Sequence, residues 1–382
     1  MSKQEYNIGE IMKKVILFGI GENGKKVIDA YLKYDKWFEI VAIADNSSDL
    51  KEYKGIPVIK PDRIPVFSYD EIWISTIYYQ EVTKQLTDEL HIAQSAIRYI
   101  EYPMPFLEKQ IYKKYEDEIE KGKKCKSDEL QEVINYVKGN GVRMYCYPFF
   151  DEYAKKDYPV FFDEDCKLYY GIYAGHKIYL AKTYNTPQKA KQYLRYIYME
   201  QDKRSPHCYF ADDNFQIEKG EMGIDIGAAE GVFALDIIDK VDQIYLIEAD
   251  SDWCEALALT FQEYREKVTI IQGYVSDSEE KGQVVLDKRF KDLKIDFVKM
   301  DIEGAEEEAL RGAWDLIKEN MPKLAICTYH RMLDYQDISR QLSEKGYLVK
   351  SSKGYVICQG EWELDHLEDV DFRRALLWAE RA

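Results

Sequence analysis

Short apolar runs, each closed by a glycine or an acidic residue and followed by an amphipathic stretch, recur along this chain. That pattern predicts strands alternating with helices, and so parallel sheets covered by helices. The first series opens with the strand Lys14-Val15-Ile16-Leu17-Phe18. Gly19-Ile20-Gly21-Glu22-Asn23-Gly24 then starts a helix to about Tyr34, and a second strand, Glu39 to Ala44, ends at Asp45-Asn46. Further elements are expected at Ile56 to Ile59, at Glu71 to Ser75, as a helix to about Leu90, and at Ile97 to Ile100, with Pro103 and Pro105 at the exit. A second series starts at Met222, with strands at Gln243 to Ala249, Val268 to Gln272, Ile295 to Met300 and Lys323 to Thr328. A helix is expected from Glu306 to about Asn320, closed by Pro322. Tyr347 to Ser351 and Gly354 to Gln359 are separated only by Ser352-Lys353, which predicts a tight hairpin.

The fold class is therefore α/β, with two Rossmann-like domains joined by an α+β connector. The expected boundaries are 1–103, 104–214 and 215–382. In the connector, Phe106 to Val137 reads as helical and charged, Lys167 to Leu180 as a hairpin across a glycine-bearing turn, and Pro187 to Glu200 as an amphipathic helix. Residues 141–210 hold 13 of the chain's 32 tyrosines. Tyrosine offers a wide apolar face and a polar tip, so such a segment beside a cleft can stack on sugar rings; packing in a core or interface is the plainer reading. Gln201 to His207 suits an acceptor-contacting loop or a polar linker, and His176 and His207 read as structural.

At 382 residues the chain exceeds a single core of ~250–300 residues, which fits two domains and a connector. A net charge of −17 excludes a nucleic-acid binder that tracks phosphates, and the short run Lys121 to Lys126 reads as a solvated loop. The seven cysteines are scattered without a Cys-x-x-Cys pair, as expected of thiols in a reducing compartment. The amino-terminal segment is polar and no run approaches ~20 apolar residues, so a cytoplasmic protein with no membrane span is expected.

Candidate chemistry concentrates in the second series. Gly223-Ile224-Asp225-Ile226-Gly227-Ala228-Ala229-Glu230-Gly231 is a strand entering a glycine turn, and Tyr245-Leu246-Ile247-Glu248-Ala249-Asp250 is a strand ending on a carboxylate. Gly227 and Gly231 let backbone approach a ligand, and Glu248 is placed to accept both hydroxyls of a ribose. Asp-x-Gly-x-x-x-Gly is not the three-glycine fingerprint that cradles a pyrophosphate; it suits an adenosyl ligand without phosphates, which points to S-adenosylmethionine.

Two more blocks follow: Asp301-Ile302-Glu303-Gly304-Ala305-Glu306 after a buried strand, and Tyr329-His330-Arg331 with Asp334 after the next. With the glycine turn, they make the region from Phe215 onward resemble the FkbM-type S-adenosylmethionine-dependent methyltransferases. The resemblance implies a class I methyltransferase sheet and methyl transfer to oxygen, commonly on a sugar or secondary metabolite. Asp225, Gly227, Ala228, Glu230 and Gly231 are then expected at the amino-acid part of the cofactor, Glu248 and Ala249 at the ribose, and Ser276 and Asp277 beside the adenine. An alcohol needs a base or a metal to become a nucleophile, and His330 is the first candidate base. Asp301 would orient the acceptor or His330, and Asp301, Glu303 and His330 together raise the rival reading of a divalent cation, which is not favoured. Glu306 also reads as a carboxylate serving only its helix terminus, and the acidic segment Glu361 to Asp371 reads as a solvated face.

The amino-terminal Gly19, Gly21 and Gly24, with Asp45 about twenty residues on, form a second nucleotide-site candidate. This domain is shorter than a full dinucleotide fold and loosely resembles small Rossmann-like domains of sugar-modifying proteins, some of which bind nucleotide-sugars. An equal reading is a docking or dimerisation module without ligand, so a homo-oligomer stays open. Two alternatives stand beside the methyltransferase: an NAD-dependent oxidoreductase using the amino-terminal domain, and a non-catalytic nucleotide-sugar sensor or scaffold.

Overall fold

A computed structural model describes residues 12–34, 37–213, 215–358 and 362–381, and these gather into two compact units. The first takes in the described residues of Met1–Glu116, Gly141–Arg143 and Gln359–Val370, the second those of Asp117–Asn140, Met144–Cys358 and Asp371–Ala382. The expected boundaries at 103 and 214 fall inside these units. Side-chain packing explains both differences. Past 103, Phe106 packs on Phe38 with ring centroids 5.6 Å apart, and the Arg98 guanidinium donates to Glu108 Oε2 at 2.6 Å. Before 214, Phe210 stacks on Phe233 at 5.2 Å.

In the first unit six strands take the order β3-β4-β2-β1-β5-β6. They are β1 (Lys13–Phe18), β2 (Phe38–Ala44), β3 (Glu52–Tyr53), β4 (Ile56–Ile59), β5 (Glu71–Ile74) and β6 (Ile97–Tyr99). All neighbours pair in parallel except β3 with β4. Val15, Ile16 and Leu17 are wholly buried, as a central parallel strand covered on both faces requires. The helix expected to reach Leu90 is α-helical over Tyr79–Lys84 and continues as a π turn over Gln85–Glu89.

The second unit carries a three-stranded antiparallel sheet, β7 (Phe161–Asp163), β8 (Leu168–Tyr173) and β9 (His176–Tyr179). The hairpin expected at 167–180 is β8–β9, turned at Ala174 and Gly175 with φ of 49° and 87°. β7 has no sequence signal: it is three residues long and its two phenylalanines are exposed. The helix Pro187–Glu200 forms as expected, capped by Thr186, whose hydroxyl accepts from the Lys189 amide. Phe106 to Val137 is not one helix; it breaks into Met104–Lys114, Glu116–Ile119 and Asp128–Asn140, with Gly122 left-handed between the last two.

The main sheet of this unit has the order β12-β11-β10-β15-β16-β18-β17. Its strands are β10 (Met222–Ile226), β11 (Gln243–Glu248), β12 (Val268–Gln272), β15 (Phe297–Met300), β16 (Lys323–Cys327), β17 (Tyr347–Ser351) and β18 (Leu376–Arg381). β13 (Tyr274–Val275) and β14 (Gln283–Val284) form a separate small pair. The five strands from β12 to β16 are parallel, and β18 runs antiparallel to both β16 and β17. The expected hairpin is thus corrected: β17 pairs with β18, not with Gly354 to Gln359. β18 is apolar and buried over Leu376 to Ala379, whereas Gly354 turns away at φ 87° and the next amide, Tyr355 N, donates to the Tyr147 hydroxyl at 2.6 Å. The helix expected over 306–320 is also two, Glu306–Arg311 and Trp314–Asn320. Between them Gly312 lies against the Ser276 carbonyl, only 2.2 Å from where a Cβ would stand.

The acidic segment is not a solvated face throughout, since Glu363 and Leu364 are buried. Glu361 and Gln359, and the polar terminus before residue 12, lie outside the described residues. Among the described residues no disulfide forms and no helix is long and apolar enough to cross a membrane.

Candidate active site

The functional groups cluster where the strand order reverses, at the carboxyl ends of β11, β10, β15 and β16, which is where open α/β sheets bind ligands. The turn after β10 requires its glycines: Gly227 and Gly231 have φ of 72° and 87°, and Ala229 between them also has a positive φ. A Cβ on Gly227 would stand 1.9 Å from the Asp301 carbonyl oxygen. Two motifs far apart in sequence therefore meet backbone to backbone.

Glu248 stands at the end of β11, 9 % exposed. One carboxylate oxygen accepts from the Ala229 amide and the other from the Asp250 amide, each at 2.9 Å. The carboxylate is thereby fixed, with a lone-pair site left on each oxygen. Ala249 beside it is half-buried. Asp225 is placed differently from expectation. It is 0 % exposed and pairs with Lys299, the residue in register with it on β15, at 2.9 Å. Lys299 Nζ also donates to the Gly227 carbonyl at 2.6 Å, so the pair sits under the glycine turn. Burial holds Asp225 above its ordinary value, an effect that Lys299 offsets only in part. On the lysine, burial is outweighed by Asp225 and Asp301, which hold the ammonium above its ordinary range, and the pair is ionic.

Glu230 turns towards the tyrosine-rich segment, accepting from the Tyr193 hydroxyl at 2.6 Å, and burial pushes its carboxyl up to about 7. Tyr193, Tyr184 and Trp253 pack on one another there, with centroids 4.2 to 5.7 Å apart. Ala228 is buried in the turn. Ser276 donates to Glu308 at 2.7 Å and Asp277 accepts from Arg311 at 2.7 Å, so both side chains are tied to the helix after Asp301.

Asp301 lies at the centre of the polar cluster. Its Oδ2 accepts from the Tyr209 hydroxyl at 3.0 Å and lies 3.3 Å from His207 Nε2. Its Oδ1 lies 3.4 Å from His330 Nε2, and the other ring nitrogen of His330 is 2.9 Å from Glu306 Oε1. Burial opposes ionisation of Asp301, but His207, Lys299 and His330 hold it well below the usual carboxylate range. Burial likewise opposes charge on His330, yet Glu306, Asp301 and Glu303 push it up to about 9. His207 is raised too: burial is outweighed by Asp301 and Glu200. Near neutrality the His330 imidazolium therefore faces the Asp301 carboxylate.

Glu303 stands apart, its side chain 91 % exposed and its Oε2 3.8 Å from His330. Donor atoms close enough to share a cation belong instead to Asp301, Glu306 and His330, or to His207, Asp301 and Cys327. A cation at either would have to displace the imidazole–carboxylate pairings.

Sequence reasoning read His207 as structural, at the end of a candidate acceptor-contacting loop, and passed over Tyr209 and Lys299. Lys299 left a signal: a lone charge within the apolar strand 297–300, matched by Asp225 within 223–227. His207 and Tyr209 left none beyond residue type, because their roles come from contacts with Asp301 some ninety residues on.

In the first unit, Gly19 and Gly24 form a tight turn, with the Gly19 carbonyl 1.9 Å from where a Gly24 Cβ would stand. Asp45 is occupied by that fold: Oδ2 accepts from Ile20 N, and Oδ1 from Ser47 N and Ser48 N at 2.9 and 2.7 Å. Burial raises its carboxyl, but these amides together hold it below its ordinary value. Gly21 opens onto space, with no atom within 4 Å of a Cβ built there.

Comparison with known proteins bears on both units. Residues 174–349 match the family model described as the methyltransferase FkbM domain, and residues 11–98 match the C2185-like, N-terminal family, which gives that domain no nucleotide-sugar assignment. No curated protein matches the chain. A solved FkbM methyltransferase from Methylobacillus flagellatus KT is similar at 17 % identity over 96 % of this chain and 90 % of that one, with a TM-score of 0.49. A precorrin-6y C5,15-methyltransferase from Geobacter metallireducens GS-15 is similar at 14 % identity over 44 % and 84 %, with a TM-score of 0.32. M. capricolum TrmK, solved with S-adenosyl-homocysteine, is similar at 12 % identity over 43 % and 62 %, with a TM-score of 0.27.

Proposed function

We propose, from the premise that the carboxy-terminal region carries an FkbM S-adenosylmethionine-dependent methyltransferase domain, that this domain methylates a hydroxyl oxygen of a sugar or glycan precursor. The observation that carries the proposal is the joining of two sites through Gly227 and Asp301: a fixed ribose-type carboxylate on one side and the Asp301–His330–His207 cluster on the other. The residues fit the cofactor. Glu248 presents an oriented carboxylate where a ribose hydroxyl pair would bind and a diphosphate would be repelled, and the turn 227–231 brings bare backbone beside it.

When bound, S-adenosylmethionine supplies an electrophilic methyl carbon on a sulfonium. Methylation of a hydroxyl would further require a residue of this chain to take the hydroxyl proton. His330 accepts that proton at Nε2, while Glu306 faces Nδ1 and fixes the ring. Asp301 orients His330, His207 and the Tyr209 hydroxyl. Asp225 works from beneath, holding Lys299 against the glycine turn. The tyrosines of 184–209 supply apolar faces and hydroxyls suited to a sugar ring.

The test is calorimetric titration with S-adenosylhomocysteine, with NAD in parallel, followed by a methyl-transfer screen over sugars and nucleotide-sugars. Binding of the homocysteine compound and methylation of a sugar hydroxyl are expected; binding with transfer only to nitrogen or carbon acceptors would overturn the oxygen assignment.

The base assignment has its own sign. Because the folded His330 is pushed up to about 9, it is protonated and idle at pH 7, and its proton-accepting fraction grows as pH rises. Turnover at saturating substrates should climb with pH and level off near that value. His330→Ala should flatten the profile and lower kcat by ~10²–10⁴-fold. A flat profile between pH 6 and 9 in the parent enzyme would exclude His330 as the base.

A further inference from the structure

The amino-terminal unit contains a cavity of ≈ 590 Å³ at the carboxyl ends of β1, β2 and β5. This is the switch point of its own sheet, and the volume lies within the ~300–1,000 Å³ common to small-molecule sites. Its chemistry departs from that of a dinucleotide pocket in two ways. Asp45, the acid that would take a ribose, has Oδ1 filled by the Ser47 and Ser48 amides and the Ser47 hydroxyl and keeps a site only on Oδ2, beside the Ile20 amide, so it cannot accept a hydroxyl on each oxygen. The lining, all of it among the described residues, includes Asp45 and Glu81 but no lysine or arginine. Lys60, near by, donates instead to the carbonyls of Asn46 and Ser48. A phosphate here would meet carboxylates and, among the lining residues, no cation to offset its charge.

What the walls do offer is neutral hydrogen bonding. Asn46 and Gln85 exchange two amide hydrogen bonds with each other, at 2.8 and 3.0 Å, on the exposed side of the cavity. Each amide keeps a further donor and acceptor for a ligand. Gln85 begins the π turn that interrupts the helix, a distortion often found at functional sites. Thr76 adds a hydroxyl, Glu81 an acceptor, and Tyr78, 42 % exposed, an aromatic face. Paired amides, hydroxyls, one carboxylate and an aromatic ring are groups that satisfy a sugar's alternating hydroxyls and C–H faces.

We propose that this cavity binds a neutral polyhydroxylated ligand, a sugar carrying no phosphate. The proposal is independent of the methyl-transfer reading, because every residue it uses lies in the other unit. Gly21 supplies a clean test. It lines the cavity, has φ −66°, and a Cβ there meets no atom within 4 Å, so Gly21→Leu fills space without straining the backbone.

The full chain would be titrated with glucose, galactose, mannose and N-acetylglucosamine, with UDP-N-acetylglucosamine, NAD and ADP in parallel. At least one free hexose should saturate, and the nucleotides should not bind in a Gly21-dependent way. Gly21→Leu and Gln85→Ala should each weaken hexose binding by about tenfold or more, as loss of one or two well-made contacts requires. The thermal midpoint of Gly21→Leu should stay within ~2 °C of the parent, which separates loss of the site from loss of the fold. Hexose binding that ignores Gly21→Leu, the absence of hexose binding, or tight Gly21-dependent binding of a nucleotide diphosphate would each overturn the proposal.

Discussion

Glu248→Ala should weaken S-adenosylhomocysteine binding by ~10²–10⁴-fold. On the proposed reading the carboxylate accepts two ribose hydroxyls, and hydrogen bonds to a charged acceptor contribute about 1.5–3 kcal/mol each. Together that is roughly 3–6 kcal/mol, which sets the expected range in affinity. The same substitution strips the Ala229 and Asp250 amides of their acceptor, so the turn before Gly231 loses its tie to β11. Glu248→Gln separates the two effects. It preserves the length of the side chain but sets an NH₂ against one of those amides, so it should bind the ligand with intermediate affinity. Calorimetry reads the affinities and thermal melting shows whether the turn has collapsed. An affinity within about threefold of the parent would remove Glu248 from the ribose position.

The residues legible in the sequence were those whose roles are local. Gly227 and Gly231 announce themselves because a strand must end and a turn must take positive φ, and Glu248 because it closes the next apolar run. The parallel pairing of the five strands β12, β11, β10, β15 and β16 follows from the same alternation. Partners fixed only by the fold stayed hidden. Nothing near His207 says that its imidazole meets Asp301, and nothing near Glu306 says that it turns back to His330 as well as to the Ile302 amide at 3.0 Å. That second contact changes the chemistry, since it is a principal reason His330 is a cation at pH 7. The hairpin went astray for a related reason. Proximity in sequence favoured Gly354 to Gln359 as the partner of β17, but the long apolar run of β18 is the better filling for a fully buried position between β16 and β17. Short-range rules assign strands well; they do not say which later strand is inserted between two earlier ones.

Lys299→Met should destabilise the fold by about 3–5 kcal/mol, the usual consequence of removing one partner from a buried ion pair. Asp225 has no exposure and would be left with its charge uncompensated, while the Gly227 carbonyl would lose its 2.6 Å donor. The companion variant, Asp225→Leu with Lys299→Met, replaces both charges by apolar groups and should recover most of that loss, because desolvation of the two ions is no longer required. Recovery of stability should not bring back full affinity for S-adenosylhomocysteine, since the double variant still has nothing to hold the glycine turn from below. That divergence between melting and binding is the signature of a positioning pair. A merely structural pair would let the two recover together. If Lys299→Met melts within about 1 kcal/mol of the parent, the buried contact between β10 and β15 does not exist in solution, and the placement of the turn over Asp301 would need another cause.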